Sequence, residues 1–334
     1  MASVLRAAVV GVGHLGQHHA RILSELPDVE LVGVVDACKD RGQEIAVKYG
    51  VPWFPSSDSL VHEVDFAVIA VPTISHREAA LPFLSQGKAC LIEKPLAADT
   101  ETCRQILHDA EKGGAMVGVG HVERFNPAVR RAMELDIEPR FIEAHRLAPY
   151  SFRGTDVGVA LDLMIHDVDL CLAWIDEEVV SVDSIGGATL SPSEDVVSAR
   201  LRFSNGAVAN LTASRLSLKP MRRFRVFGPD CYVTVDSAAH YALLVKKSVD
   251  FTPEAVKRIA ASENPQAGFQ DLLHIEELDF PDEEPLVAEL RAFANAVRSG
   301  QPHLVSGEAG FAAVQVVERI LEALGPHPWG LEGP

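Results

Sequence analysis

The chain has 334 residues, 47% of them hydrophobic, and its 30 basic and 47 acidic residues give a formal net charge of −17 at pH 7. This length and apolar content allow two ordinary domains, while the acidic balance excludes nucleic acid and anionic membrane surfaces as partners. Five scattered cysteines without C-x-x-C spacing favour reduced thiols in a cytoplasmic protein over a disulfide framework or a zinc site.

Short apolar strands alternate with helices from residue 4 to about residue 120. This alternation predicts an α/β domain with a doubly wound parallel sheet, a Rossmann domain, over residues 1–121. The strands are predicted at Arg6–Val10, Glu30–Val35, Phe66–Val71, Ala89–Glu93 and Met116–Gly120. The helices between them are predicted at Gln17–Leu26, Arg41–Tyr49, Ser75–Ser85 and Thr100–Gly113.

From residue 122 onward, strands follow one another with few helices between them. This order predicts a second, α+β domain over residues 122–325 with a large open, mostly antiparallel sheet. Its strands are predicted at Arg140–Arg146, Val179–Ile185, Val196–Phe203, Ala207–Ser214, Arg222–Phe227, Tyr232–Asp236 and Ala242–Lys246. Its helices are predicted at Val159–Trp174, Glu284–Ser299 and Gly307–Leu324. An uncovered sheet face favours a homodimer or homotetramer, and we expect the tail 326–334 to be flexible.

A glycine loop directly follows the first strand. Gly11, Gly13 and Gly16 form a G-x-G-x-x-G pattern between that strand and the first helix. The first glycine permits a tight turn, the second lets the backbone approach a pyrophosphate, and the third lets helix and strand pack closely. The loop, with its His14 and Leu15, therefore predicts a dinucleotide-binding site.

An acidic residue follows at the distance that such a site requires. Asp36 ends the second strand about twenty residues after Gly16, where its carboxylate would accept a hydrogen bond from a ribose 2′-hydroxyl. The same carboxylate would repel a 2′-phosphate, so NAD is favoured over NADP. Lys39 and Arg41 lie close by and weaken that preference.

A lysine lies at the end of another predicted strand. Glu93-Lys94-Pro95 closes the run Ala89–Glu93, and ligands of open α/β sheets bind at the carboxyl ends of the strands. Proline restricts the backbone directly after the lysine. The tripeptide predicts an ammonium group held at the ligand-binding edge, although Lys-Pro after a strand is also an ordinary turn.

The predicted helix near residue 160 carries an acid and an imidazole. Asp162 and His166 are spaced i, i+4 and so lie on one helical face. Oxidation of an alcohol needs a base for the hydroxyl proton, and histidine titrates near neutral pH. A capping aspartate followed by a structural histidine is the alternative. A metal site that also uses Asp169 is disfavoured, because this set has no distinctive ligand spacing.

The combination of these motifs resembles the Gfo/Idh/MocA oxidoreductases, the group of glucose-fructose oxidoreductase and inositol dehydrogenase. The elements found in the family's order are the glycine loop, Pro72 and His76, Glu93-Lys94-Pro95, and Gly158 with Asp162 and His166. The resemblance covers nearly the whole chain and implies hydride transfer to or from a nicotinamide.

The resemblance also assigns roles to single residues. It implies that Lys94, Asp162 and His166 form the catalytic group, with His166 as the proton acceptor. Pro72 and Glu93 would lie along the nicotinamide half of NAD. His76, which follows Pro72 in the shared motif, belongs with the cofactor-binding residues.

The substrate is indicated by a narrower resemblance. The segments Gly120–Pro127 and Asp156–Asp167 are similar to a subgroup of the family that oxidises the 3-hydroxyl of UDP-N-acetylglucosamine. A diphosphate needs cations, and guanidinium groups match phosphate oxygens. The residues expected to bind such a substrate are Arg124, Asn126, Arg146 and Arg153. The alternatives are a dehydrogenase of a free sugar or inositol, with these arginines structural, and a dinucleotide-binding sensor or scaffold without turnover.

Overall fold

The computed structural model describes residues 4–151 and 157–325. The described residues divide into two compact units, one made of residues 4–125, 151, 157–169 and 283–322 and the other of residues 126–150, 170–282 and 323–325. A single boundary after residue 121 covers only part of this division, because two later segments return to the first unit. Arg153 and the predicted flexible tail lie outside the described residues.

The first sheet has six parallel strands in the order β3-β2-β1-β4-β5-β6. The strands are β1 (Leu5–Val10), β2 (Val29–Val35), β3 (Trp53–Phe54), β4 (Phe66–Ile69), β5 (Ala89–Glu93) and β6 (Val117–Gly120). The helices between them are α1 (Gly16–Glu25), α2 (Lys39–Tyr49), α3 (His76–Leu84) and α4 (Thr100–Gly113). The predicted Rossmann sheet is confirmed, and only the two-residue strand β3 is additional.

The second sheet has eight strands in the order β14-β13-β12-β11-β7-β10-β9-β8. The strands are β7 (Phe141–Leu147), β8 (Val179–Gly187), β9 (Val196–Phe203), β10 (Val208–Ser214), β11 (Met221–Phe227), β12 (Cys231–Asp236), β13 (Tyr241–Lys247) and β14 (Leu273–Glu277). Only the β7–β10 pair is parallel. Buried and partly exposed residues alternate along β7 and β10, as in a sheet with one uncovered face. The expected open, mostly antiparallel sheet is confirmed, with β14 as an additional strand.

In the described part of the chain, six helices follow those of the first sheet. They are α5 (Pro127–Met133), α6 (Ile165–Ile175), α7 (Pro253–Ala260), α8 (Pro265–Gln270), α9 (Pro285–Ser299) and α10 (Gly307–Leu324). The last two match the predicted ones, whereas α5, α7 and α8 had no counterpart in the prediction. The helix expected at Val159–Trp174 instead begins with a π-helical turn, Ala160–Met164, and continues as α6. Within the described ranges, no helix is long and apolar enough to span a membrane.

The core of the first unit explains its sequence pattern. Every residue of β4 and β5 is buried, because helices cover both faces of a parallel sheet. Phe293 and Leu290 of α9 belong to the same apolar cluster as Val9 of β1. The strand order reverses between β1 and β4, and this point of a doubly wound sheet is where a crevice opens at the carboxyl ends of the strands.

Candidate active site

The glycine loop after β1 has the geometry that the sequence predicts. Gly11 has φ +85°, and a Cβ atom there would lie 2.6 Å from the carbonyl oxygen of Ala70. A Cβ atom on Gly16 would lie 1.8 Å from the carbonyl oxygen of Gly11, whereas one on Gly13 would meet no atom within 4 Å. Gly11 and Gly16 are therefore required by packing. Gly13 leaves open space beside the start of α1, where a helix N-terminus can receive a phosphate.

Asp36 lies buried at the end of β2 and is hydrogen-bonded on both oxygens. Oδ1 accepts from the amide of Cys38 at 2.8 Å and from Arg41 Nη2 at 2.8 Å. Oδ2 accepts from the amide of Val12 at 2.9 Å and from Arg41 Nε at 3.0 Å. Burial acts to raise the pKa of Asp36, but the hydrogen bonds from Arg41 and from the two amides outweigh it, so the pKa lies below its usual value.

A cleft of about 960 Å³ lies in the first unit beside these groups. Nine of the ten cofactor residues expected from the sequence line it, together with Arg41 and Asp162: Gly11, Gly13, His14, Leu15, Asp36, Pro72, His76, Glu93 and Lys94. The tenth, Gly16, lies directly behind Gly11. The fold thus brings the residues that the sequence assigned to cofactor binding, from four separate segments, to one cavity.

His76 connects two loops of the cleft. Its Nδ1 lies 3.0 Å from the carbonyl oxygen of Pro95, and its Nε2 lies 3.1 Å from that of Val71. The side chain is almost wholly buried, and burial lowers its pKa. Both ring nitrogens face main-chain carbonyls, so His76 positions the backbone that follows β4 and β5.

Lys94 and Asp162 meet although 68 residues separate them in the chain. The Lys94 ammonium donates to Asp162 Oδ1 at 3.0 Å and to the Asp162 carbonyl oxygen at 2.8 Å. The lysine side chain is 14% exposed and the aspartate side chain 33% exposed. These are two of the three donors that an ammonium carries, so among the described residues one donor remains for a ligand in the cleft.

His166 lies in the first turn of α6, directly after the π-helical turn that contains Asp162. Turns of this kind occur often at functional sites. The His166 ring is half-buried and lies edge-on to the ring of His121, with centroids 6.2 Å apart. The sequence predicted that Asp162 and His166 share a helical face but gave no signal for the π-helical turn.

Glu93 has a buried partner that the sequence analysis missed. His19 Nε2 lies 2.7 Å from Glu93 Oε1, and the histidine side chain is 1% exposed. Burial acts to raise the pKa of Glu93, but the hydrogen bond from His19 and the charge of Lys94 outweigh it and lower the pKa. His19 lies on the buried face of α1 beside Ala20 and Leu23, where the helical pattern predicts an apolar residue.

Two of the residues expected to bind the substrate, Arg124 and Asn126, have hydrogen-bond partners within the protein. Arg124 donates to both oxygens of the buried Asp169, at 2.7 and 3.0 Å. Asn126 caps α5 by accepting from the amide of Ala128 at 3.0 Å. Arg146 lies on β7 and is 5% exposed. Asn126 and Arg146 belong to the second unit, and neither they nor Arg124 is among the residues that line the cleft.

Glu289 of α9 is a buried carboxyl group. Its side chain is 0% exposed, and neither oxygen has a hydrogen-bond partner among the described residues. Burial raises its pKa well above the usual value, and the nearby charges of Glu93 and Asp169 raise it further. Glu289 therefore keeps its proton to a higher pH than an exposed glutamate does.

This pKa predicts a pH-dependent stability difference for Glu289→Gln. Above the pKa of an exposed glutamate, the unfolded chain loses the proton while the folded protein keeps it, so the wild type loses stability as pH rises. The glutamine side chain does not ionise, so it adds no such pH dependence. The variant should therefore gain stability relative to the wild type as the pH rises above about 5, measured as the free energy of unfolding in urea. The exposed Glu44→Gln variant is the control, and parallel curves for Glu289→Gln and the wild type would contradict the assignment.

Within the described part of the chain, no group of three or more His, Cys, Asp or Glu side chains has a metal-binding arrangement. Asp162 is hydrogen-bonded to Lys94 and Asp169 to Arg124.

Two sequence profiles match the chain. The one described as "Oxidoreductase family, NAD-binding Rossmann fold" covers residues 5–121, and the one described as "GFO/IDH/MocA C-terminal domain" covers residues 136–234. The chain is 35% identical over 326 residues to the UDP-N-acetylglucosamine 3-dehydrogenase of Acidithiobacillus ferrooxidans, a match that spans 95% of this chain and 99% of that protein. It is 25% identical over 326 residues to the scyllo-inositol 2-dehydrogenase (NAD(+)) of Bacillus subtilis, spanning 90% and 89%.

Solved structures agree with these matches. UDP-N-acetylglucosamine 3-dehydrogenase GnnA from Acidithiobacillus ferrooxidans has a TM-score of 0.85 at 32% identity, and the match covers 96% of this chain and 97% of that one. GenD2 from gentamicin A biosynthesis, in complex with NAD, shares the fold with a TM-score of 0.78 at 22% identity, covering 97% and 95%. The resemblance found in the sequence motifs is confirmed. The chain belongs to the Gfo/Idh/MocA family of oxidoreductases.

Proposed function

We propose that this protein oxidises a secondary hydroxyl of a sugar nucleotide, C3 of UDP-N-acetylglucosamine, to the 3-keto sugar with NAD⁺. The observation that carries the proposal is the Lys94–Asp162 pair, which lies in the same cleft as the glycine loop and Asp36. The full-length similarity to a UDP-N-acetylglucosamine 3-dehydrogenase supports the choice of substrate.

The residues of the cleft fit a dinucleotide. Gly11 has no room for a side chain, Gly13 faces open space, and Asp36 offers a carboxylate at the end of β2. NAD⁺ would supply the hydride acceptor. The Lys94 ammonium, held by Asp162, donates a hydrogen bond to the substrate oxygen and stabilises it as the carbonyl forms. His166 accepts the hydroxyl proton.

Arg41 bears on the choice between NAD and NADP. Four donors already occupy the two Asp36 oxygens, and a carboxylate has about four acceptor positions. A ribose hydroxyl must therefore displace one donor. Arg41 is the one that can move, because its side chain is 51% exposed, and once released it could bind a 2′-phosphate. We propose NAD as the cofactor, with NADP bound less tightly.

Paired substitutions test this preference. Asp36→Ala removes the ribose acceptor and should weaken NAD⁺ binding about tenfold or more, since a hydrogen bond to a charged group contributes roughly 1.5–3 kcal/mol. Arg41→Ala should strengthen NAD⁺ relative to NADP⁺, because it frees Asp36 and removes the phosphate partner. Dissociation constants of both dinucleotides for both variants measure the effect. If each substitution changes the dissociation constants of NAD⁺ and NADP⁺ by the same factor, neither residue sets the preference between the two cofactors.

A substrate panel tests the proposed reaction. UDP-N-acetylglucosamine, UDP-glucose, glucose and inositol are each incubated with enzyme and NAD⁺, and NADH is followed by its near-ultraviolet absorbance. The proposal expects the fastest NADH formation with UDP-N-acetylglucosamine. No response to either UDP-sugar, with the same enzyme preparation binding NAD⁺, would rule it out.

A dehydrogenase of a free sugar or inositol is the second candidate. One observation favours it: Arg124, which was expected at a diphosphate, is bound to Asp169 within the first unit. The similarity to an inositol dehydrogenase of Bacillus subtilis agrees with this alternative. In the same substrate panel, this alternative predicts NADH formation with glucose or inositol and none with the UDP-sugars.

We also propose that the open face of the second sheet is covered in a homodimer or homotetramer. On that face Glu143 accepts from Arg225 at 3.1 Å, and the guanidinium lies 4.9 Å from the ring centroid of Phe227 and 5.5 Å from that of Tyr232. An arginine that packs against aromatic rings on an open face is typical of protein interfaces. Light scattering after size-exclusion chromatography gives the mass, and a monomer would contradict the proposal.

A further inference from the structure

Behind Glu93 lies a group of buried polar side chains, each with at least one polar atom that has no hydrogen-bond partner among the described residues. His121 and Glu289 are 0% exposed and His19 is 1% exposed. Among the described residues, no hydrogen-bond partner exists for either ring nitrogen of His121, for either carboxyl oxygen of Glu289, or for Nδ1 of His19. Buried polar atoms in native proteins are paired with protein or with internal water. These five atoms therefore indicate internal water between β5, β6, α1 and α9.

His121 is the member of this group nearest to the proposed base. It directly follows β6 and its ring lies edge-on to that of His166, at a centroid distance of 6.2 Å. A Cβ atom on the preceding Gly120 would lie 3.1 Å from Glu93 Oε2, so the Glu93 carboxylate lies against this stretch of backbone. One water molecule can connect two rings at such a distance.

The charges around His121 are arranged in pairs. Asp169 is bound to Arg124, Glu93 to His19, and Lys94 to Asp162. Burial lowers the pKa of His121 most, Arg124 and Lys94 lower it further, and Asp169 and Glu93 act in the opposite direction. The pKa of His121 therefore lies below its usual value in the free enzyme, and it responds to a change of charge at Lys94 or Glu93, which line the cleft.

Such a change accompanies the proposed reaction, on which this inference rests. The substrate C–H electron pair leaves as hydride to NAD⁺, whose positive charge is thereby lost, and the O–H proton goes to His166. We propose that His121 then receives this proton from His166 through internal water and holds it while NADH occupies the cleft. The buried site keeps the same total charge before and after hydride transfer, because the imidazolium of His121 replaces the positive charge of the oxidised cofactor. His121 acts through His166 and does not contact the substrate.

Calorimetric titration of the enzyme with NADH and with NAD⁺ tests this without turnover. Titrations in two buffers of different ionisation enthalpy give the number of protons taken up on binding. NADH binding should take up protons near neutral pH, and its Kd should fall by up to about tenfold per pH unit lowered, whereas NAD⁺ binding should show little uptake. Equal proton uptake with both dinucleotides in the wild type would overturn the proposal.

Two variants assign the proton to His121. His121→Gln and His121→Asn keep a hydrogen-bonding side chain but cannot take up a proton near neutral pH. In both variants, proton uptake on NADH binding should no longer exceed proton uptake on NAD⁺ binding. His303→Gln is the matched control. It alters another buried histidine of the first unit, one that packs on Phe125 and Phe293, and it should keep the difference. Undiminished NADH-linked uptake in a folded His121 variant would also overturn the proposal.

The pH profile separates this inference from the proposed function. The wild type should keep a constant turnover number over a wider acidic-to-neutral range than the two His121 variants, in which the proton must leave His166 for solvent. Coincident profiles of wild type and variants would count against proton transfer to His121. If the enzyme shows the calorimetric difference but oxidises none of the tested sugars, the proposed substrate fails and the proton-holding site stands.

Discussion

Replacing His166 with asparagine is expected to reduce turnover by about 10²–10⁴-fold, the usual contribution of a positioned general base. Asparagine keeps a polar group of similar size but cannot accept the hydroxyl proton. NAD⁺ binding should be unchanged, because the residues expected to bind the dinucleotide lie in the glycine loop and at the ends of β2, β4 and β5. The measurements are steady-state turnover with the best substrate of the panel and the dissociation constant of NAD⁺.

His108→Asn provides the control for this substitution. His108 is exposed on α4, so its replacement should leave both quantities at the wild-type level. Unchanged turnover in His166→Asn would remove His166 as the base. Loss of NAD⁺ binding together with turnover would instead show that His166 supports the structure of the cleft. A wild type that binds NAD⁺ but oxidises no substrate would favour a sensor or scaffold.

The first sheet was predictable because its strands are covered on both faces. Buried parallel strands such as β4 and β5 read as continuous apolar runs, and the glycine loop is a local signal that depends on neighbouring residues only. Lys94 was predictable for the same reason, since a strand end is visible in the sequence. The two-residue strand β3 was missed because so short a run carries no periodic pattern.

Hydrophobic periodicity does not show which distant segments of the chain pack against each other. The apolar face of α9 is visible in the sequence, but the pattern does not show that Phe293 and Leu290 join the core of the first sheet. In the same way, the contact between Lys94 and Asp162 joins residues 68 positions apart. Only the family resemblance placed these two residues in one site before the structure did.

Buried polar residues were missed or assigned to other partners for a related reason. His19 and Glu289 occupy buried faces of α1 and α9, where helical periodicity predicts apolar side chains. Arg124 was expected to bind a phosphate because it lies in Gly120–Pro127, one of the two segments similar to the UDP-sugar subgroup, but in the structure it donates to Asp169 at 2.7 Å. Asn126 caps the short helix α5, which the sequence analysis did not predict. The partners of polar side chains are set by the tertiary fold, and a single sequence does not record them.

Replacing Lys94 with methionine is expected to reduce the turnover number by about 10²–10³-fold, comparable to the loss of one oxyanion-stabilising donor. Methionine fills similar space but has no donor for the substrate oxygen. Lys94→Arg should also be impaired, because the planar guanidinium cannot reproduce the two contacts that the ammonium makes with Asp162. Turnover, NAD⁺ affinity and the free energy of unfolding are measured for both variants.

Lys88→Met is the control, since Lys88 directly precedes β5 whereas Lys94 directly follows it. It should leave turnover at the wild-type level. The stability of Lys94→Met should fall little, because Asp162 is one-third exposed and water can solvate its carboxylate once the ammonium is gone. A large loss of stability with Lys94→Met would make the kinetic result uninformative about chemistry, and the Lys94→Arg variant, which keeps the charge, would then decide the question.

The pairing of Lys94 with Asp162 also predicts how their substitutions combine. If Asp162 acts by holding the ammonium, Asp162→Asn lowers the turnover number only when Lys94 is present. The double variant with Lys94→Met and Asp162→Asn should then be about as slow as Lys94→Met alone. If the two residues contact the substrate independently, their effects on the turnover number multiply. The 3.0 Å contact between Lys94 Nζ and Asp162 Oδ1 favours the first result, because the ammonium is then already fixed toward the cleft before substrate binds and loses little freedom in the transition state.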